Sequence, residues 1–284
     1  MTDYGRDLQF GYFLEPTAAD PAALLTAARS ADRLGLDLLG IQDHPYNSTH
    51  LDTWTLLSAI GATTERIRIF PDVTSLPLRD PAILAKTAAS LDQITGGRVE
   101  LGLGGGAFWD GIVAMGGPRR SPGEAVAAVE EAIDVLTVFW AGGPARYDGA
   151  FYRLAGARPG PPSAHPIGIW LGALGPKMLD LVGRKATGWL PSLSFVPPER
   201  LDEANERIDA GAHVAGREPA GINRVYNVWG DFEVSRWVDL LTDTTINHGM
   251  NAYVFGAPPM ESELRRIAEE IVPAVRASVI AARS

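Results

Sequence analysis

The chain has 284 residues, 46% of them hydrophobic and 21% charged, which excludes a largely disordered polymer. A formal charge of −9 argues against a nucleic-acid or anionic-membrane partner, because neutralising phosphates needs a basic face. With no cysteine there is no disulfide scaffold, thiolate nucleophile, Cys-ligated zinc or iron–sulfur cluster. The first residues, MTDYGRDLQFGYF, show no apolar signal segment, and no stretch reaches the ~18 apolar residues of a membrane span. The cytoplasm is the default expectation.

Short apolar runs alternate with amphipathic segments along the whole chain. Leu8–Leu14 reads as a strand. Asp20-Pro21 then supplies a helix N-cap and a first-turn proline, Leu24, Ala28, Ala31 and Leu34 follow at helical spacing, and Gly35 ends the helix. The pattern repeats as strand 38–42, helix 52–63, strand 67–73, a second Asp-Pro helix start at Asp80-Pro81, and strand 98–103. The Asp80 helix places Leu84, Ala88, Leu91 and Ile94 on one face. A helix over 123–140 carries Val126, Val129, Ile133, Leu136 and Trp140 on one stripe. The Gly/Pro-rich insertion at about 141–166 interrupts the rhythm, and its YDGAFYRL segment reads as a small hairpin. Strands at 167–171, 186–191, 222–228 and 251–255 alternate with helices at 176–185, 198–216, 235–247 and 261–282, the last with a potential kink at Pro273. Eight strands alternating with eight helices predict a single (β/α)₈ TIM barrel of the α/β class, in preference to an open doubly wound sheet. In such a barrel the site lies at the C-terminal strand ends.

Four constellations fall at those ends. Asp43, His44 and Tyr46 follow strand two. His44 titrates near neutrality and can serve as acid, base or hydrogen-bond donor; the alternative is a turn whose Asp and His satisfy only backbone groups. With no third histidine at ligand spacing, a metal is not expected there. A polar, proline-punctuated loop, Asp72-Val73-Thr74 onward, follows strand three; it reads equally as an ordinary βα loop. The run Gly102–Trp109 matches G-x-G-x-x-G/A spacing, but no helix is expected directly after it, so a dinucleotide fold is disfavoured. Gly104, Gly105 and Gly106 nonetheless let backbone approach a flat or anionic ligand, and Phe108 and Trp109 either wall a pocket or belong to the core. Finally, Gly172, Ala173, Leu174, Gly175, Pro176, Lys177 and Met178 form a loop opening a helix, a ready anion site to which Lys177 adds charge, or else simple helix-start punctuation.

Together these segments resemble the bacterial luciferase-like family of flavin-dependent oxidoreductases. The match is strongest in DVTSLPLRDPAILAKTAASLDQITGGRVELGLGGG, and GALGPKML, GWLPSL and FGAPP…AEEIVPAVR are similar. The resemblance implies a (β/α)₈ barrel and, from Asp43-His44 and the GPKM loop, coenzyme F-420 (a deazaflavin) as cofactor, with FMN as the alternative. It implies a non-prolyl cis peptide at Asp72–Val73, forming a bulge behind the central ring. Asp43 would then bond the ring or ribityl chain, and His44 would lie near the reactive position as the catalytic acid/base. Gly104–Gly106 would approach the tail, and Gly172–Met178 would bind its phosphate. Ala107 stands where some F-420 dehydrogenases carry an acidic Glu, which points away from a sugar phosphate and toward a larger apolar small-molecule substrate. The expected activity is hydride transfer between F-420 and an organic substrate; an FMN-dependent monooxygenase and a flavin-binding barrel without turnover are the alternatives. Family members are commonly homodimers.

Overall fold

Three aspartates start three helices by the same chemistry. The side chains of Asp20, Asp52 and Asp80 accept from the N–H groups of Ala23, Thr55 and Ala82, so that α1 (Pro21–Arg33), α2 (Thr53–Gly61) and α3 (Pro81–Thr95) begin where the sequence places them. Gly96 ends α3 in the left-handed region at φ +68°, which a side-chain-bearing residue seldom adopts.

The computed structural model describes residues 2–284. The first half contains β1 (Gln9–Leu14), α1, β2 (Leu38–Ile41), α2, β3 (Arg68–Pro71), β4 (Thr74–Ser75), α3, β5 (Leu101–Gly104), α4 (Trp109–Ala114) and α5 (Pro122–Trp140). A hairpin of β6 (Ala145–Asp148) and β7 (Arg153–Ala157) follows. The second half contains β8 (Ile169–Leu171), α6 (Pro176–Lys185), β9 (Gly188–Trp189), α7 (Leu201–Val214), β10 (Asn223–Trp229), α8 (Val234–Ile246), β11 (Ala252–Gly256), α9 (Glu261–Arg265) and α10 (Val272–Arg283).

The parallel sheet runs β3-β2-β1-β11-β10-β9-β8-β5-β4. Because β3 and β4 are two pieces of one strand, and Ile69 on β3 bridges Val99 just before β5, the two ends meet and the sheet closes as a barrel. Pleating sorts the side chains into two shells. Phe10, Tyr12, Leu39, Ile69, Leu103, Tyr226 and Tyr253 belong to the larger core, with the buried helix faces. Leu38, Phe70, Trp170, Leu190, Val225, Ala252 and Val254 form a separate cluster that fills the barrel. Glycines admit the closest contacts: a Cβ at Gly183 would collide with the Ile208 carbonyl, so α6 and α7 cross backbone to backbone.

All eight expected strands are present, and the YDGAFYRL hairpin forms with Asp148 opposite Arg153. Several expectations need correction. The third strand is interrupted at Asp72–Val73. A six-residue helix, α4, does start soon after the glycine run, at Trp109; it has no capping side chain and is held by the fully buried Ile112. Its barrel setting, not the absence of a helix, rules out the dinucleotide fold. Ile94 does not share the buried face of α3 and is 70% exposed. Residues 198–200 form a separate 3₁₀ turn ahead of α7. Pro273 sits in the first turn of α10, and the irregularity lies upstream of it as a π-helical turn over Arg266–Ile271. Among the described residues, no helix is long and apolar enough to cross a membrane.

Candidate functional site

A cavity of about 540 Å³ opens at the C-terminal end of the barrel. Its floor is the break in the third strand. The Asp72–Val73 peptide is cis, as the resemblance implied, and the chain bulges there before pairing with β5 through Thr74 and Ser75. Val73 fills the space beside three inward glycines: a Cβ at Gly104 would lie 2.6 Å from its Cγ2, one at Gly172 3.2 Å from the same atom, and one at Gly102 would collide with the Pro71 carbonyl. Backbone therefore lines much of this floor, as a planar ligand requires.

One wall is aromatic. His44 stacks on Tyr46 with ring centroids 5.5 Å apart and 17° between planes, and Tyr46 meets Phe108 edge-on at 5.3 Å. Partial burial and the neighbouring His50 push the His44 pKa below its usual value, against the opposing pull of Asp43, so the imidazole is neutral at pH 7. Burial and Asp43 push the Tyr46 hydroxyl upward.

Asp43 lines the same wall at 1% side-chain exposure, yet its carboxylate is already engaged. Arg79 donates to both oxygens at 2.7 Å, and the Ser75 N–H donates at 3.0 Å. The same guanidinium reaches Asp52, the N-cap of α2, at 2.7 Å. Burial opposes the Arg79 charge, but the two carboxylates outweigh it and hold its pKa above the usual value. This clamp ties the end of β2, the start of α2 and the β4 bulge into one unit.

The far wall holds two helix N-termini. Gly175 precedes α6 without a capping side chain, and Pro176 occupies the first turn; the Met178 and Leu179 N–H groups turn back to the Gly175 carbonyl, while Lys177 lines the cavity edge beside them. The start of α5 contributes Pro122, Gly123, Ala125 and Val126; it is closed by a capping box between Ser121 and Glu124.

The structure thus brings His44, Asp43, Tyr46, Val73, Thr74, Gly104, Gly105, Gly106, Gly172, Leu174, Gly175, Pro176, Lys177 and Met178 to one cavity. Four expected residues lie outside its lining. Asp72 is buried beneath it, and Ala173 is buried behind the α6 loop. Phe108 is 56% exposed and reaches the site only through Tyr46. Trp109 packs beneath Gly106, where an added Cβ would lie 2.9 Å from its ring. Sequence reasoning missed the α5 contribution, although Ser121-Pro122 and Glu124 spell a capping box. It also missed Arg79, visible in the L-P-L-R segment, and Asn227, a polar residue in an otherwise apolar strand.

A ring cofactor with an anionic tail fits what is present. The Thr74 hydroxyl is buried and without a partner on the cavity floor, a polar group that asks for a ligand. The uncapped α6 terminus, with the Lys177 ammonium beside it, suits an anion.

Comparison with known proteins is consistent with this geometry. The luciferase-like monooxygenase family matches residues 8–229. The 5,10-methylenetetrahydromethanopterin reductase of Methanolobus tindarius is 34% identical over 213 residues, 74% of this chain and 62% of that protein. The Archaeoglobus fulgidus protein of the same name is 30% identical over 252 residues, 87% of this chain and 70% of its own. The chain thus spans between three-fifths and seven-tenths of the length of these two relatives. Among solved structures, an F-420-dependent secondary alcohol dehydrogenase in complex with an F-420–acetone adduct superposes with a TM-score of 0.82 at 20% identity, covering 95% of this chain and 100% of that one.

Proposed function

The chain belongs to the luciferase-like monooxygenase family, and on that premise we propose that it is an oxidoreductase moving a hydride between coenzyme F-420 and an apolar organic substrate. The observation that carries this reading is the junction, in one cavity, of a backbone-lined floor at Val73 and Gly104 with the uncapped N-terminus of α6. When bound, the deazaflavin supplies a ring carbon that accepts or releases a hydride.

The protein's part is placement and proton handling. Val73 and the inward glycines support one ring face. Thr74 Oγ1 and the Ser75 segment present polar groups to the ring edge. The α6 terminus and Lys177 hold the anionic tail. His44, neutral at pH 7, accepts a proton at its free ring nitrogen when substrate is oxidised and returns it when substrate is reduced. Ala107 leaves the substrate side without a carboxyl, and the exposed side chains of Phe108, Leu174 and Phe195 on the surrounding loops favour an apolar substrate. Two copies of the chain associate through α3.

Parallel titration of the protein with oxidised F-420 and with FMN, followed by tryptophan quenching, tests the reading; Trp109 lies against Gly106 and reports on the cavity. Tight F-420 binding that weakens when Lys177 is replaced by Ala supports it. Preference for FMN, with oxygen uptake by the reduced complex, replaces it with a monooxygenase. Tight binding with no turnover on any alcohol, ketone or imine leaves a carrier protein.

A further inference from the structure

Beneath the cavity floor, inside the barrel, lies a polar pair with an imbalance. The Asp72 carboxyl is buried, and Asn227 crosses from β10 to donate its Nδ2–H to Asp72 Oδ1 at 2.9 Å. The two remaining atoms, Asp72 Oδ2 and Asn227 Oδ1, are both buried and both without a partner. Each is an acceptor, so neither can satisfy the other while Asp72 is ionised. A proton on Asp72 Oδ2 removes the buried charge and supplies the donor that this acceptor-rich pair lacks.

Among the described residues, no charge stands ready to compensate an ionised Asp72. Arg79, after β4, is held by Asp43 and Asp52. Arg224, on β10, turns to Asp209 and Asn205. Arg68, at the far end of β3, meets Glu100 beside β5. The neighbouring positions Gly40 on β2 and Phe70 on β3 carry no charge; a Cβ at Gly40 would lie 3.0 Å from Oδ2 and 2.8 Å from the Phe70 ring.

We propose that Asp72 is a positioning residue carried as a neutral acid, which ties the bulge to β10 through Asn227 and, when it ionises, hinders hydride acceptance in the cavity above. The last clause rests on the proposed F-420 function; the first does not. Burial raises the Asp72 pKa to about 7 against the opposing Asn227 bond, which places the change within the physiological range. A ring that accepts a hydride gains electron density, so a carboxylate beneath it disfavours the reduced form, and a neutral acid does not.

Infrared spectra of the ligand-free protein test the neutral acid. At about pH 5.5, where ordinary carboxyls are ionised, wild type minus Asp72→Asn is expected to show a carboxylic-acid C=O band that titrates away with a midpoint near 7. Absence of the band, or a midpoint at the ordinary aspartate value, overturns the proposal. Should Asp72→Asn not fold, the wild-type acid-minus-alkaline spectrum compared with that of Asn227→Leu decides the same point. Loss of the amide, which contacts Asp72 as donor, is expected to move the midpoint, and an unchanged midpoint overturns the pair. For the second clause, the preference for reduced over oxidised F-420 is expected to fall about tenfold between pH 5.5 and pH 9 in wild type and to stay flat in Asp72→Asn. A flat wild-type ratio overturns that clause. No F-420 binding at any pH overturns the proposed function and leaves the infrared result to stand by itself.

Discussion

At the scale of single residues, two side chains have environments that move their protonation in opposite senses. His44 is lowered, chiefly by partial burial. Its neutral form therefore persists to below the ordinary histidine value, and turnover in the substrate-oxidising direction is expected to fall only as pH drops through that lowered pKa. Replacement by Gln keeps a hydrogen-bonding group but no titrating one. Turnover is expected to fall by roughly 10²–10⁴-fold, with cofactor affinity nearly unchanged and the acid limb of the pH profile gone; a limb that survives in His44→Gln belongs to another group. Asp72 is raised, chiefly by burial. The fold then holds a proton that the unfolded chain has released, so native stability declines as pH rises from the ordinary aspartate value through about 7. A shift of this size corresponds to about 4 kcal/mol. Asp72→Asn is expected to melt with wild type near pH 4 and above it at pH 8, by thermal denaturation across that range; coincident melting curves at both ends contradict the buried acid.

The elements meet at the cavity through the Arg79–Asp43 clamp. Removing Arg79 strands a carboxylate that is 1% exposed, and the expected loss is about 3–5 kcal/mol of stability. Asp43→Asn in the same chain should restore part of it, because a neutral amide no longer needs a cation. A melting temperature for Arg79→Ala within about 2 °C of wild type would show that the clamp contributes little. Such clamps mark the border of what the sequence makes legible. The strand and helix order is written locally, in Asp-Pro starts, Gly stops and apolar periods, and the structure agrees with it at all eight strands. The glycines of β5 stood out for the close backbone approach they allow, and the α6 loop for an anion site at a helix start, and both line the cavity. Asn227 was not, because it acts only through Asp72, 155 residues earlier in the chain. The α4 helix escaped for a related reason: its hold is Ile112 packing into the core, a tertiary contact, rather than a cap in the sequence. Ile94 was misjudged because, at 100° per residue, its position on the helix puts it with Ile83, Thr87 and Ser90 rather than with the buried Leu84, Ala88 and Leu91.

That last error bears on the whole molecule. On α3, Ile83 and Ile94 are 64% and 70% exposed, with Thr87 and Ser90 between them, so the stripe continues for almost three turns on the outer surface of the barrel. Ser58 of α2 joins these residues in lining a shallow groove. Lys86 is the one exposed charged residue within α3, because Asp92 is buried and accepts from His165 and Val99. Two copies of a chain with net charge −9 repel at long range, and a face nearly free of charge is where that repulsion is weakest and apolar contact most favourable. In the proposed dimer a twofold axis across α3 would set each stripe against its equivalent, the closed arrangement that dimers commonly adopt. Sedimentation equilibrium is expected to give twice the 30.3 kDa chain mass, and Ile83→Glu with Ile94→Glu to give the chain mass itself, since four carboxylates would then face one another across the axis. F-420 binding should survive the split, because the cavity opens at the strand ends while α3 presents this stripe on the outer flank. A wild type that sediments at 30.3 kDa would remove the dimer, and a doubly substituted chain that stays paired would move the interface to another face.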